Sequence, residues 1–278
     1  MFRLLQIEIH KLKNSRASVI LIITYFAMLT SIALIATIKF DIGPVKFHLA
    51  EQGIFNFPFI WHFNTFIAGI FKFFLLLVIV SMMANEYSNK TLKQNLIDGL
   101  SKKEFVLSKF YTVFLFAFIS TLFIFITSIV LGLIYSDFNE FSIIFSDLEY
   151  LLAFFVKLLG FFSFGLFLGV LIKRSAFAVG AMFIWFIGET IGYNILKWNI
   201  FRGTDIADNI FQFAPLKAMG NLIDEPFSRL NAVKTIANQI GEDFGSDYAI
   251  HSYEIAIVLG WTFLFIYGSY FLLKIRDL

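Results

Sequence analysis

The stretch "MMANEYSNKTLKQNLIDGLSKKEFVLSKF", residues 82–110, separates two long apolar runs. The first run ends at Met83 and the next begins near Phe110. Charged and amide side chains recur throughout the residues between them, which are numerous enough to form a short helix. Two questions follow for the architecture: whether the flanking apolar runs cross a membrane, and on which side of that membrane the polar segment lies.

The composition is too apolar for a soluble protein. Of the 278 residues, 59% are hydrophobic and 15% are charged, and the mean hydropathy is +0.80. Soluble domains are about 45–50% apolar and about 25% charged. The net charge of +2 provides no basic surface for nucleic acid. The chain has no cysteine, which excludes disulfides and thiolate chemistry, and its four histidines show no metal-ligand spacing.

Six apolar runs are long enough to cross a bilayer, which takes about 20 residues of helix. They cover residues 17–38, 60–84, 108–135, 148–172, 176–196 and 254–273. The first run exceeds the ~7–15 apolar residues of a signal peptide, so we interpret it as a retained anchor. The sequence predicts an all-α polytopic membrane protein, a single transmembrane domain with six transmembrane helices.

Basic residues near the ends of the runs predict the orientation. With the N-terminus inside, they fall in the inner segments, whereas the outer loop after the third run carries four acidic residues and no lysine or arginine. Both termini and the polar segment are therefore predicted to be cytoplasmic, in a multi-pass protein of the cytoplasmic (inner) membrane. The basic residues are Arg3, Lys11, Lys13, Arg16, Lys90, Lys93, Lys102, Lys103, Lys109, Lys173, Arg174, Lys274 and Arg276.

Shorter stretches of the sequence add four expectations. Residues 1–16 are amphipathic and predict an interfacial helix on the inner leaflet; their alternation also allows a strand, which would leave its backbone unpaired. The linker "KRSA" after the fourth run predicts a tight helical hairpin. Small residues between Gly160 and Gly169 predict close helix packing. Residues 197–253 are predicted to be external, with a short helix starting at Pro215.

The polar segment resembles the region between the second and third spans of ABC-2-type transporter permeases. In that family an acidic–aromatic pair, a Thr-Leu pair, spaced leucines and a basic residue precede a lysine that opens the third span. Two positions depart from the pattern, because Lys90 replaces the usual glycine and Leu100 stands where proline is common. The amphipathic start, six spans and long last outer segment extend the resemblance over the whole chain. The matching residues are Glu86, Tyr87, Thr91, Leu92, Leu96, Lys102 and Lys109.

The resemblance implies that residues 86–104 form a coupling helix that docks into a groove on a separate ATP-hydrolysing subunit. The residues themselves agree, because three leucines at i, i+4 spacing make an apolar ridge suited to a groove. The same ridge also suits lipid headgroups. The residues assigned to coupling are Glu86, Tyr87, Thr91, Leu92, Leu96, Leu100 and Lys102.

The ATPase activity is expected on a partner chain. The sequence has no G-x-x-x-x-G-K-[ST] loop to hold phosphates, so ATP and Mg²⁺ would bind to the partner and no cofactor is expected in this chain. A second copy, or a similar permease, would complete the twelve-span assembly that the resemblance implies. The alternatives are an ATP-independent channel or structural membrane protein and, with less support from the spans, an intramembrane enzyme.

Three charged residues fall inside the runs: Lys72, Lys157 and Glu189. From a helical rise of about 1.5 Å per residue, Lys157 and Glu189 lie roughly 13 and 11 Å deep, and Lys72 roughly 18 Å. The matched depths predict a Lys157–Glu189 ion pair, either a structural pin or part of a translocation path. Lys72 has no evident partner and calls for water or an anionic ligand. His62 and Asn64 are interpreted as headgroup contacts.

Overall fold

A computed structural model describes residues 2–35, 39–42, 45–48, 53–230, 233 and 248–276. Helices dominate these residues, together with a two-stranded antiparallel hairpin, β1 (Lys39–Ile42) and β2 (Val45–His48). The helices are α1 (Phe2–Asn14), α2 (Arg16–Ile35), α3 (Phe59–Ile70), α4 (Lys72–Ser88), α5 (Thr91–Ile97), α6 (Lys102–Tyr135), α7 (Phe141–Ile144), α8 (Glu149–Ile172), α9 (Ser175–Ile195), α10 (Ile206–Phe211), α11 (Pro215–Asn221) and α12 (Ser252–Ile275).

The predicted all-α membrane architecture is confirmed. By length and composition, the described residues contain five helices able to cross a membrane, or up to six if a bent pair counts as one span. The bent pair is α3 and α4, which meet at an angle of 45° across Phe71. The sequence showed one continuous apolar run there and gave no sign of the bend. The hairpin β1–β2 was likewise not predicted.

Helix α8 lies at the centre of the bundle and contacts α4, α6, α9 and α12. Its glycines allow this. A Cβ atom added to Gly160 would come within 2.8 Å of Val258 on α12, and one added to Gly169 would lie 3.0 Å from Met83 on α4. One added to Gly165 would collide with the Leu76 side chain. The close packing predicted from the small residues of this stretch is confirmed.

Helix α9 forms a hairpin with α8, as the short linker predicted, but leaves most of its own surface uncovered. Only Ala178 and Met182 are buried along its length. Large apolar side chains such as Phe183 and Ile184 are exposed on it. In a membrane protein such a surface faces lipid or another subunit.

The polar segment that opened the sequence analysis is not one helix. Helix α4 ends at Ser88, and Lys90 adopts a left-handed conformation with φ of 56° before α5 begins. Gly99, with φ of 96°, ends α5 in a Schellman motif, in which the N–H groups of Gly99 and Leu100 bond back into the last turn. Ser101 then caps α6 through a capping box with Glu104. The left-handed Lys90 occupies the position where the resembling family has glycine, the residue that adopts this conformation without steric cost.

Candidate functional site

Four charged side chains form a compact cluster where α1, α4 and α6 meet. Lys109 on α6 is buried, and its Nζ lies 2.6 Å from Glu8 Oε2 and 2.5 Å from Glu86 Oε1. Lys11 on α1 approaches the same Glu86 oxygen at 2.7 Å. Two carboxylates and two ammonium groups balance, so the cluster is formally neutral although three of its members are buried. A buried charge needs such pairing to offset its desolvation.

The cluster also holds α5, the short helix of the polar segment. Thr91, the first residue of α5, donates its hydroxyl to Glu86 Oε2 at 2.6 Å, and Asn95 approaches the same oxygen at 3.5 Å. Glu86 thereby joins the start of α5 to the end of α4. Helix α5 is thus fixed by polar contacts at one side and connects through Lys109 to α6. Glu86 and Thr91 were assigned to coupling from the sequence and Lys109 was matched to the family pattern, but no contact among the three was predicted, and Glu8 and Lys11 were not assigned to a site.

The leucine ridge faces the protein's own interior. Leu92 is 3% exposed, and Leu96 and Leu100 pack against the same core. Leu92 is therefore not available to a groove on a partner, and Leu96 and Leu100, which are half-buried, could offer it only part of their surface. Leu100 lies beyond the end of α5, where the chain turns back toward α6. The leucines instead attach α5 to the bundle.

The opposite face of α5 is open. Ile97, its last residue, is 76% exposed, and Lys93 and Gln94 are exposed beside it. This face of α5 is therefore more accessible than the side that carries the leucines.

A second group of contacts closes the ends of α8 and α12. The Arg276 guanidinium donates to the carbonyls of Val170 at 2.6 Å and Leu171 at 3.0 Å. Lys102 Nζ donates to the Arg276 carbonyl at 3.1 Å, and the Tyr87 hydroxyl lies 3.4 Å from the Val170 carbonyl. Cations at helix C-termini satisfy otherwise unpaired carbonyls and complement the helix dipole. Tyr87 and Lys102, both assigned from the sequence, therefore link the polar segment to α8 and to the C-terminal end of α12, respectively.

The predicted Lys157–Glu189 ion pair is wrong. Lys157 donates to the Gly220 carbonyl at 3.2 Å, near the C-terminal end of α11. Glu189 accepts from the backbone N–H of Lys217 at 2.9 Å, in the first turn of α11. The two charges hold opposite ends of the same short helix, each with the sign that complements the dipole at that end.

The other polar side chains inside the runs also differ from expectation. His62 and Asn64 are both fully buried rather than at a headgroup surface. The His62 ring stacks on Tyr150 with 4.4 Å between centroids, and Asn64 donates to Ser128 at 2.9 Å. Lys72 Nζ lies 4.5 Å from the centroid of the Phe161 ring. Within the described part of the chain it has no ion pair or hydrogen bond.

Residues 4–189 match the family model described as "ABC-2 family transporter protein". This range contains nearly all of α1 to α9 and the whole charge cluster. The chain belongs to the ABC-2 transporter family. No curated protein matches the permease. The matched range ends at Glu189, so α10, α11 and α12 lie outside it. Family membership and the apolar helices together make the permease a multi-pass membrane protein of an ABC transporter.

Proposed function

We propose that the permease moves a substrate across the cytoplasmic membrane with energy from ATP hydrolysed by a separate subunit. Its family works with ABC ATPases and with a second permease chain, which supports this division of labour. The chain itself has no phosphate-binding loop. Both termini and α5 would face the cytoplasm, where the ATPase binds, as the distribution of lysine and arginine favours.

The observation that carries the proposal is the attachment of α5. Glu86 connects this helix to α4, and Lys109 connects Glu86 to α6 and, through Glu8, to α1. Separating the buried ionic partners would strand charges away from water at a cost of about 3–5 kcal/mol, so the ends of α1, α4 and α6 are held together here. Helix α5 follows Glu86 through the Thr91 hydrogen bond, so we infer that a displacement of α5 moves these ends along with it. That is what a helix that passes motion from an ATPase to membrane spans has to do.

The docking face we propose is the exposed side of α5 around Ile97, with Lys93 beside it, and not the leucine ridge. A partner could reach this face without disturbing the core, because Ile97 is 76% exposed. Introducing a charge there should disrupt an apolar contact while leaving the permease folded.

The test is purification of the tagged permease from its native membranes, followed by mass spectrometry for a chain with a phosphate-binding loop. Ile97→Asp should lose that chain while the permease itself is recovered at the normal yield, and Ile97→Leu should retain it. Equal recovery of the ATPase with Ile97→Asp would count against docking through this face. Recovery of no ATPase even with the unaltered permease would contradict the proposed function as a whole.

The orientation has its own test, because the chain has no native cysteine. A single cysteine at Lys93 should resist a membrane-impermeant thiol reagent in intact cells and react after lysis. Labelling in intact cells would reverse the proposed topology.

A further inference from the structure

A cavity of about 360 Å³ lies between α4, α8, α9 and α11. This size is within the ~300–1,000 Å³ range of ligand pockets. Its walls are formed mainly by aromatic, aliphatic and methionine side chains, including Phe73, Phe161, Met182 and Phe183. Among the described residues that line it, Lys72 carries the only charge. The cavity is thus an apolar space with one ammonium group in its wall.

The electrostatics of this site favour an anion. Lys72 Nζ has a ring face at 4.5 Å as its neighbour, and no described carboxylate pairs with it. A second ammonium, that of Lys157, bonds to the carbonyl of Gly220, which is itself part of the wall. Asp224 lies near enough to Lys157 to offset part of its charge, so Lys72 is the ammonium of this wall that has no carboxylate partner among the described residues.

The remaining surface suits a hydrocarbon chain. The rings of Phe73 and Phe183 are stacked with 5.9 Å between centroids and 5° between planes, and both are more than 40% exposed in the isolated chain. They stand beside the ammonium group, on α4 and α9, and α9 faces outward from the bundle. A ligand could therefore enter from the membrane side, between these two helices.

We propose that this cavity binds an anionic amphiphile, with a carboxylate or phosphate on the Lys72 ammonium and a single alkyl chain against Phe73, Phe183 and Met182. A buried lysine in hydrocarbon is costly unless it is paired or hydrated, and such a ligand supplies the missing partner. The site belongs to the permease chain alone. Binding at this site needs neither ATP nor an ATPase, so its test is independent of the test of the function proposed above.

The experiment uses the full-length permease in nanodiscs of zwitterionic phosphatidylcholine. The first probe is a long-chain fatty acid with a photoreactive diazirine on its chain; its controls are the fatty alcohol of equal length and the alcohol's phosphate monoester. We expect saturable cross-linking of the acid or the phosphate to peptides of α4 or α9, and at least tenfold weaker labelling by the alcohol. Comparison of the carboxylate with the phosphate shows whether free fatty acids or phosphate-bearing lipids are the better ligands.

Three variants define the site. Lys72→Met should reduce saturable labelling at least tenfold, whereas Lys72→Arg should retain it within about threefold because the charge remains. Gly220→Leu adds bulk at the cavity wall, where an added Cβ meets no atom within 4 Å, and should reduce saturable labelling. Gly188→Leu is the matched control, since it also meets open space but lies outside the cavity lining.

Equal labelling by the acid and the alcohol would overturn the proposal, as would unchanged labelling of Lys72→Met. Labelling that never saturates would mean bulk lipid contact and would also overturn it. Cross-links from this surface to a second copy of the chain, in place of lipid adducts, would show that protein and not an amphiphile fills the cavity.

Discussion

Replacing Lys109 tests the charge cluster most directly. Lys109→Met preserves the length of the side chain and its helix propensity but removes the ammonium between Glu8 Oε2 at 2.6 Å and Glu86 Oε1 at 2.5 Å. Glu86 keeps Lys11 at 2.7 Å and the Thr91 hydroxyl at 2.6 Å. Glu8 is left with Ser108 at 3.4 Å and Lys11 at 3.9 Å, so it becomes a poorly paired carboxylate that is 2% exposed.

Breaking a buried ion pair from one side costs about 3–5 kcal/mol, and we expect Lys109→Met to lower the free energy of unfolding by that amount. Adding Glu8→Gln removes the stranded charge. The double variant should therefore recover part of the loss, with a coupling free energy of about 0.5–3 kcal/mol. The matched control is Lys103→Met, which makes the same change on an exposed lysine of the same helix. It should lie within about 0.5 kcal/mol of the unaltered permease.

The assay is equilibrium unfolding in mixed micelles by titration with sodium dodecyl sulfate, followed by tryptophan fluorescence; Trp61 is fully buried and reports on the core. Lys109→Met and Lys103→Met with equal midpoints would refute the argument, because a lysine whose loss is harmless holds no buried carboxylates. Strict additivity of Lys109→Met and Glu8→Gln would show that the two side chains do not interact.

The same titration tests three further features. Glu189→Gln and Lys157→Met should each lower the free energy of unfolding, by about 1–3 kcal/mol for each polar group left unpaired. The double variant should not regain any of this stability, and a regain would support the ion pair that the structure excludes. Gly165→Leu should lower the free energy of unfolding by about 1–3 kcal/mol or more, because the added side chain overpacks against α4. Gly188→Leu, at an exposed position, should be nearly neutral. Similar unfolding midpoints for the two variants would contradict the packing of α8. Lys90→Gly should raise the free energy of unfolding by up to about 1 kcal/mol by relieving a left-handed backbone, and a loss would show that the Lys90 side chain itself contributes.

The helical spans were predictable because a bilayer sets a minimum apolar length that few other structures need. Their ends were harder. Helix α6 begins at Lys102, ahead of the apolar run that starts near residue 108, because its first turns are polar. The signal was present in "SKKE", where Ser101 and Glu104 have the spacing of a capping box. The bend at Phe71 has no comparable signal, since no proline marks it.

The site was predictable in part for the same kind of reason. Glu86, Thr91 and Lys109 lie close enough in the chain to form a recognisable motif. Glu8 bonds to a residue 101 positions away, and Lys11 to one 75 positions away, so no local spacing reveals them. One indication was available: Glu8 is the only acidic residue among the first 16 and stands between two isoleucines. An acid on an otherwise basic, apolar helix suggests a specific cationic partner.

The charges at Lys157 and Glu189 show why equal depth is weak evidence for pairing. Their depths match and their helices form a hairpin, and both conditions are necessary for contact, but neither fixes the direction in which a side chain points around its helix. The short helix α11 offers each charge a competing partner, with unpaired N–H groups at one end and unpaired carbonyls at the other. Glu189 takes the first and Lys157 the second. Two charges separated by one helix dipole are both stabilised, so the two ends of α11 explain two intramembrane charges that the sequence alone had joined to each other.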